Sequence, residues 1–124
     1  MRQTAKRPAT AQRRRALFLE AAQIIDAEYA GRLALDNVAD RVATSRRQLQ
    51  RAFHEAGETS FRAYLQRVRM VRAAEMLRDG APPVSQVAAA VGYRQPAQFA
   101  KAFRRHHGTP PSAFRGPRAA ALAA

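Results

Sequence analysis

The middle of the chain carries four polar side chains at helical spacing: Arg47, Gln50, Arg51 and His54. The apolar residues among them are Leu49, Ala52 and Phe53. If those three face a core, a rotation of 100° per residue places the four polar side chains together on the opposite face. Arginine pairs bidentately with guanine and glutamine with adenine, so this face has the chemistry to read bases in a major groove.

A second segment of the same kind follows about fifty residues later, but its outer face is chemically poorer. Its inward positions are Phe99, Ala102 and Phe103. Its outward positions are Ala97, Ala100, Lys101 and Arg104. Alanine contacts only the methyl group of thymine, Lys101 can reach a base, and Arg104 and Arg105 suit phosphates. We therefore expect the first segment to read most of the sequence and the second to supply position and affinity.

Both segments belong to a pattern that occurs twice. The first copy reads VADRVATSRRQLQRAF (Val38–Phe53), and the second reads VAAAVGYRQPAQFAKAF (Val87–Phe103). Their apolar positions match at a constant offset before the turn and at an offset one residue longer after it. Each copy is typical of a helix-turn-helix, which lays its second helix in a major groove. Two copies predict that one molecule reads two groove segments without dimerising.

The charge balance indicates a polyanionic partner. The 124 residues carry a net charge of +13, and all of the 22 basic residues except Lys6 and Lys101 are Arg. The planar fork of Arg suits phosphates and guanine edges, so nucleic acid is the first expectation and an acidic membrane surface the second. No apolar run approaches the roughly 18 residues of a membrane span. The start of the chain is not typical of a secretory signal, so we expect a soluble, cytoplasmic protein.

Periodicity and capping signals predict an all-α fold of about seven helices, with two helix-turn-helix subdomains joined by a long central helix. The predicted helices run at about 10–29, 35–42, 46–56, 60–78, 85–90 and 96–106, followed by a short turn at 112–115. The predicted subdomains are 11–58 and 80–115, with a linker helix at 59–79, a disordered basic arm at 1–10 and an Ala-rich tail at 116–124. Gly57 is expected to stop the third helix.

Other chemistry is poorly represented. The chain has no Cys, and the adjacent His106 and His107 lack an i+4 partner, so we expect no metal site and no other cofactor. The nine carboxylates show no paired catalytic spacing, and there is no nucleophile–base pair or phosphate loop, so an enzyme is not expected. Two small helical units leave no pocket of the usual ~300 Å³ or more, so no small-molecule effector is expected.

Three segments resemble the AraC/XylS family of bacterial transcription regulators. They read GETSFRAYLQRVRMVRAAEML (Gly57–Leu77), VSQVAAAVGY (Val84–Tyr93) and FAKAFRRHHGTPPSAFR (Phe99–Arg115). The resemblance implies that the third and sixth of seven helices enter successive major grooves on one DNA face. It implies base contacts by Arg47, Gln50, Arg51, Pro96, Ala97, Gln98 and Lys101, of which Pro96 and Gln98 come from the resemblance alone. Phosphate contacts are expected from Arg46, Arg104 and Arg105.

Three residues depart from the family pattern. Ala43 stands where the first turn usually has Gly, so a left-handed conformation there is strained. Ala34 stands where a Ser or Thr cap is usual before the second helix, and Gln95 replaces the small hydroxyl cap before the sixth. These departures affect the geometry of both units, and base reading by the second.

The chain resembles the short, single-domain members of the MarA/SoxS type, which act as monomers and are controlled by their amount. The sequence therefore predicts a sequence-specific, double-stranded DNA-binding transcription regulator, an activator that also contacts RNA polymerase and is associated with the nucleoid. Two alternatives stay open. One is a non-specific DNA-packaging protein, favoured by the charge and the bare sixth helix, and the other is the isolated DNA-binding domain of a larger ligand-sensing regulator.

Overall fold

Every regular element in the described part of the chain is helical. The computed structural model describes residues 2–80 and 82–114, with side chains from Thr10 onward. The elements are α1 (Arg2–Glu28), α2 (Leu35–Arg41), α3 (Arg46–Gly57), α4 (Phe61–Asp79), α5 (Val84–Ala90), α6 (Pro96–His107) and a 3₁₀ helix (Pro111–Phe114). The prediction of an all-α fold with about seven helices is therefore confirmed, with the 3₁₀ helix as the seventh. The chain divides into two units, each with its own core.

The first unit, Met1–Glu28 with Leu33–Leu65, is built around Phe53 of α3. Phe53 is fully buried, and the rings of Phe18, Phe61 and Tyr64 meet it edge-on with centroids 5.1–6.0 Å away. Aromatic rings favour this geometry because the positive edge of one meets the negative face of another. Small and aliphatic side chains complete the core: Leu17, Ala21, Ile25, Val38 and Leu49. The core thus holds α3 by one face and leaves the other exposed.

The end of α3 differs from the prediction. Gly57 is the last residue of the helix, and the left-handed residue that follows is Glu58, with φ of 52°. A Cβ atom on Gly57 would collide with the ring of Phe18. Gly57 is therefore required by the close approach of Phe18, whereas the positive φ falls on a residue with a side chain, at some cost in strain.

The second unit, Tyr29–Arg32 with Gln66–Ala124, packs α4, α5 and α6 around a continuous apolar core. Its fully buried members are Met70, Ala73, Leu77, Val87, Val91, Phe99 and Phe103. Because these residues recur every three or four positions along α4 and α6, each of the two helices turns one stripe toward the core. The 3₁₀ helix packs on the same core through Phe114, whose ring centroid lies 5.3 Å from that of Phe103.

An arginine of α4 holds the segment that follows α1. Arg69 donates from Nε to the carbonyl oxygen of Tyr29 at 2.7 Å and from Nη2 to that of Gly31 at 2.9 Å. Its guanidinium also lies over the ring of Tyr93, 5.9 Å from the centroid. Burial lowers the pKa of Arg69, since desolvation disfavours the charged form. The side chain thus satisfies two backbone carbonyl groups of the segment Tyr29–Arg32, within the second unit.

The unit boundaries differ from the predicted subdomains. The division falls inside α4, after Leu65, so the helix predicted at 59–79 contributes residues to both units. Its buried residues belong to the unit cores, because the apolar stripe of α4 needs partners along its whole length. Helix α1 begins at Arg2 rather than at Thr10, so the segment predicted as a disordered arm is helical, consistent with its good helix formers Ala, Lys and Arg. The predicted tail, 116–124, lies outside the described residues.

Candidate nucleic-acid interface

The exposed face of α3 carries the polar residues that the sequence singled out. Leu49, Ala52 and Phe53 are fully buried. The opposite side chains are all exposed: Arg46, Arg47, Gln50, Arg51 and His54. The helix begins under a side-chain cap, because Ser45 Oγ accepts a hydrogen bond from the backbone N–H of Gln48 at 3.1 Å. The helical wheel derived from the sequence is therefore confirmed for α3, and its DNA contacts stay a prediction.

The turn between α2 and α3 has the left-handed residue that the sequence analysis considered. Ala43 has φ of 56°, and its N–H donates to the carbonyl oxygen of Asp40 at 3.1 Å. The N–H of Thr44 donates to the carbonyl oxygen of Ala39 at 3.0 Å. The left-handed conformation considered for Ala43 is therefore confirmed, and it is one that an L-residue with a Cβ atom disfavours.

Two ion pairs anchor the ends of α2. Arg41 donates two hydrogen bonds, of 2.7 and 2.6 Å, to the carboxylate of Glu28, and they lower the pKa of that carboxyl. At the other end, Arg46 Nε lies 3.6 Å from Asp36 Oδ1, with both side chains exposed. The backbone N–H of Ala34 donates to the side chain of Asn37, so this helix start has a partner although Ala34 itself offers no cap. These contacts hold α2 in place beside α3.

The exposed face of α6 is the predicted one except at Ala100, which is partly buried. Phe99 and Phe103 are fully buried, and Ala102 is almost so. The predicted contact residues are all exposed: Pro96, Ala97, Gln98, Lys101, Arg104 and Arg105. Pro96 occupies the first turn, and the Gln95 side chain makes no capping hydrogen bond. The helix start therefore lacks the side-chain cap that Ser45 gives to α3.

The turn before α6 contains Gly92, which other parts of the second unit approach closely. Gly92 has φ of 99°. A Cβ atom there would lie 3.1 Å from the carbonyl oxygen of Ala30 and 3.1 Å from Cζ of Arg69. Tyr93 follows with its ring against Phe99, at a centroid distance of 5.6 Å. The turn needs Gly for its backbone conformation and because Arg69 lies so close beneath it.

Of the two histidines at the end of α6, His107 packs within the second unit, whereas His106 is exposed. His107 Nε2 lies 3.0 Å from the carbonyl oxygen of Met70, and its ring contacts Phe103 and Phe114. Burial, and then the neighbouring His107 charge, lower the pKa of His106. Among the described residues there is no group of three or more His, Cys, Asp or Glu side chains arranged to hold a metal ion.

A half-open groove borders α3 in the first unit. Its volume is about 360 Å³, and its lining residues are Leu35, Arg46, Gln50, His54, Thr59, Ser60, Phe61 and Arg62. The expectation that no cavity reaches ~300 Å³ was therefore wrong. The sequence concealed the groove because three separate segments line it, and Arg62 looked like any solvent-facing basic residue of a helix.

Comparison with known proteins identifies this architecture. The family model described as "Helix-turn-helix domain" matches residues 38–116. A transcriptional regulator of Chromobacterium violaceum, described as an AraC-type DNA-binding domain-containing protein, superposes with a TM-score of 0.77 at 28% identity. The match covers 81% of this chain and 89% of that one. The chain belongs to the AraC family.

AraC-family relatives of known sequence are longer proteins. The transcriptional activator RhaS of Escherichia fergusonii is 31% identical over 98 residues, which are 79% of this chain and 35% of RhaS. The regulator GbdR of Pseudomonas aeruginosa is 30% identical over 92 residues, which are 74% of this chain and 25% of GbdR. The chain thus spans about a quarter to two fifths of the length of these curated relatives.

One solved AraC-family structure contains DNA. The DNA-binding domain of AdpA, the global transcriptional factor, in complex with a target DNA superposes with a TM-score of 0.75 at 26% identity, over 86% of this chain and 93% of that one. This chain is accordingly a helix-turn-helix DNA-binding module of the type found in transcription regulators. No helix in the described ranges has the length and apolar character needed to cross a membrane.

Proposed function

We propose that this chain regulates transcription by placing α3 and α6 in successive major grooves of one double-stranded DNA site. The observation that carries the proposal is the same in both helices. Each recognition helix buries its Phe side chains completely and exposes basic and polar side chains on the opposite face. The major groove of B-DNA, roughly 12 Å wide, admits an α-helix.

In the proposed complex α3 reads most of the sequence. Arg47 and Arg51 pair with guanine edges, and Gln50 pairs with adenine, because their planar groups present two matched hydrogen-bonding atoms. All three are exposed on the face opposite the core. Arg46 donates to a phosphate, and its exposed pair with Asp36 is weak enough to be exchanged for one.

The contribution of α6 is mainly affinity and position. Ala97 contacts a thymine methyl group, Lys101 and Gln98 reach base edges, and Pro96 makes a close apolar contact. Arg104 and Arg105 follow on the exposed side of the last turns and bind phosphates. Pro96 and Ala97, the first two residues of α6, have no hydrogen-bonding side chain, which supports the smaller role of α6 in base reading.

We further propose that one chain occupies one asymmetric site as a monomer, in the cytoplasm at the nucleoid, and activates transcription by contacting RNA polymerase without a small-molecule effector. The two unlike units support the monomer, since one chain already carries two groove readers. The relative RhaS is named an activator, which supports the sign of regulation. The longer relatives favour the alternative that such a domain works within a larger ligand-sensing regulator.

Selection of bound duplexes from a random pool tests the function. A sequence-specific regulator returns one motif and binds it at least about 10³ times more tightly than a scrambled duplex at the same salt concentration. The second candidate, a DNA-packaging protein, is favoured by the net charge of +13 and the bare α6. It would return no motif and bind all duplexes alike.

A further inference from the structure

The half-open groove beside α3 has two kinds of wall. Leu35 and Phe61 give it apolar surface, whereas Arg46, His54 and Arg62 are basic. Arg46 and His54 lie eight residues apart on α3, with Gln50 midway, so they form one edge of its exposed face. The groove therefore directly adjoins the helix face to which we assign base reading.

We propose that this groove holds the sugar–phosphate backbone of the DNA strand that borders the major groove entered by α3, with Arg62 and His54 as phosphate-binding residues. The inference rests on the proposed function, because it concerns the same complex. When a helix lies in a major groove, the two edges of its exposed face point toward the two phosphate backbones. A cavity with apolar as well as basic walls adjoins the Arg46–His54 edge. A second cavity on α3, lined by Arg47, Gln48 and Arg51, has no apolar residue in its lining.

Charge favours a phosphate at this place. Arg46 has an exposed carboxylate 3.6 Å away, at Asp36. In the part of the chain that the structure describes, no carboxylate pairs with Arg62 or His54. A guanidinium without a protein partner at the rim of a groove is suited to a charge-assisted, bidentate contact with phosphate oxygens.

Shape favours a strand over a free small molecule. The groove is about half open to solvent, so a strand can lie in it without entering a closed chamber. The apolar surfaces of Leu35 and Phe61 suit the carbon face of deoxyribose, and the basic side chains suit the phosphates on either side. The corresponding edge of α6 carries Pro96, Ala100 and Arg104 where α3 has Arg46, Gln50 and His54, so only its last position offers a basic side chain.

The first test compares Arg62→Gln with a matched charge removal, Arg13→Gln, in the full chain. Arg13 is an exposed arginine of α1 in the same unit and does not line the groove. Arg62→Gln should weaken binding to the selected and scrambled duplexes alike, roughly threefold to tenfold near 0.15 M salt. It should also reduce the slope of log K against log salt by about 0.9, the value for one phosphate contact. Arg13→Gln should leave that slope unchanged.

The second test locates the phosphate. Single phosphates of the selected duplex are replaced by uncharged methylphosphonates, and affinity is measured for the wild type, Arg62→Gln and Arg62→Lys. At the phosphate in the groove, replacement should weaken the wild type but leave Arg62→Gln unaffected, because that contact is already absent. Arg62→Lys keeps the charge and should retain the wild-type salt slope with a partial loss of affinity.

The outcomes separate this inference from the function on which it rests. If the wild type selects no motif, the proposed function fails. Suppose instead that the wild type selects a motif while Arg62→Gln has the same salt slope as Arg13→Gln. If the affinity loss of Arg62→Gln then also adds fully to the loss from every methylphosphonate, the groove does not hold the backbone. Circular dichroism of each variant verifies that the exposed substitutions leave the helices intact.

Discussion

The turns of the two helix-turn-helix units make the same backbone hydrogen bonds with different residues. In each, two successive N–H groups at the end of the first helix donate to carbonyls three and five residues back, at 2.9–3.1 Å. The first N–H belongs to Ala43 in one unit and to Gly92 in the other, and both residues have positive φ. The hydrogen-bond pattern thus dictates the conformation, and the side chain present tolerates it. At Gly92 a side chain would meet the close approach of Arg69 in addition to the strain of a positive φ.

The unit with the more strained turn has the better capped and more polar recognition helix. The first unit has the strained turn but the capped helix, with Ser45, and the richer face. The second has the relaxed glycine turn but an uncapped helix start, at Gln95, and the bare face. The lesson is that stability and base reading are distributed separately along this chain, so substitutions can alter one without the other.

The largest expected effect is a loss of stability when the glycine turn of the second unit is altered. Gly92→Ala combines a disfavoured φ with contacts of 3.1 Å to Ala30 and Arg69, so it should lower the free energy of unfolding by about 2–3 kcal/mol. Gly108→Ala is the matched control, because Gly108 has φ of 83° with open space around its Cβ position. Urea denaturation should show about half the loss for the control. Equal losses would show that the close approach at Gly92 carries no energy.

The next effect concerns binding and sharpens the contrast between the two faces. Arg51→Ala should cost about 1–3 kcal/mol on the selected duplex and relax the preference at one base pair, because a bidentate guanine contact is lost. Arg104→Ala should weaken matched and scrambled duplexes by the same factor, because a phosphate contact is indifferent to sequence. Titrations of both variants on both duplexes measure this. Equal losses on both duplexes for Arg51→Ala would contradict base reading by α3.

A smaller effect tests the caps. Ser45→Ala removes the hydrogen bond to Gln48 N–H and should destabilise the protein by about 1 kcal/mol. Gln95→Ala should change stability by only a few tenths of a kcal/mol, because the Gln95 side chain makes no capping bond. Thermal unfolding followed by circular dichroism compares the two. A loss at Gln95 as large as that at Ser45 would refute the asymmetry of the helix starts.

The smallest effect is a gain. Ala43→Gly relieves the Cβ strain of a left-handed residue but adds conformational freedom to the unfolded chain, and we expect a net stabilisation of about 0.5 kcal/mol. Ala43 is exposed, so no packing is lost. Urea denaturation at high precision measures the difference. A destabilised variant would show that Ala43 sits in its turn without appreciable strain.

Helix positions and inward faces could be predicted because periodicity records burial directly. The stripe through Leu49 and Phe53 identified the inner face of α3, and the same spacing through Phe99 and Phe103 identified that of α6. The capping role of Ser45 was also readable, since a hydroxyl before a helix has few other uses. The exposure of the proposed DNA-contacting residues is confirmed, and their contacts with bases and phosphates stay predictions.

What the sequence concealed depends on partners distant in the chain. The apolar stripe of α4 looks continuous, so it did not reveal that the unit boundary follows Leu65. Gly57 reads as a helix stop until the ring of Phe18 is placed against it. The groove beside α3 required the positions of Leu35 and Arg62 together. None of these features leaves a periodic signal in its own segment.

Because Arg69 donates its hydrogen bonds to backbone carbonyl oxygens, the positions that it holds should tolerate substitution. Its two hydrogen bonds reach main-chain oxygens of Tyr29 and Gly31, which every amino acid supplies. These hydrogen bonds therefore do not depend on which side chains the held segment carries. Gly31 is exposed and has no positive φ, so saturation mutagenesis at position 31 should accept most residues while position 69 accepts only arginine. The residue that fixes this segment, Arg69, lies forty positions along the chain from Tyr29.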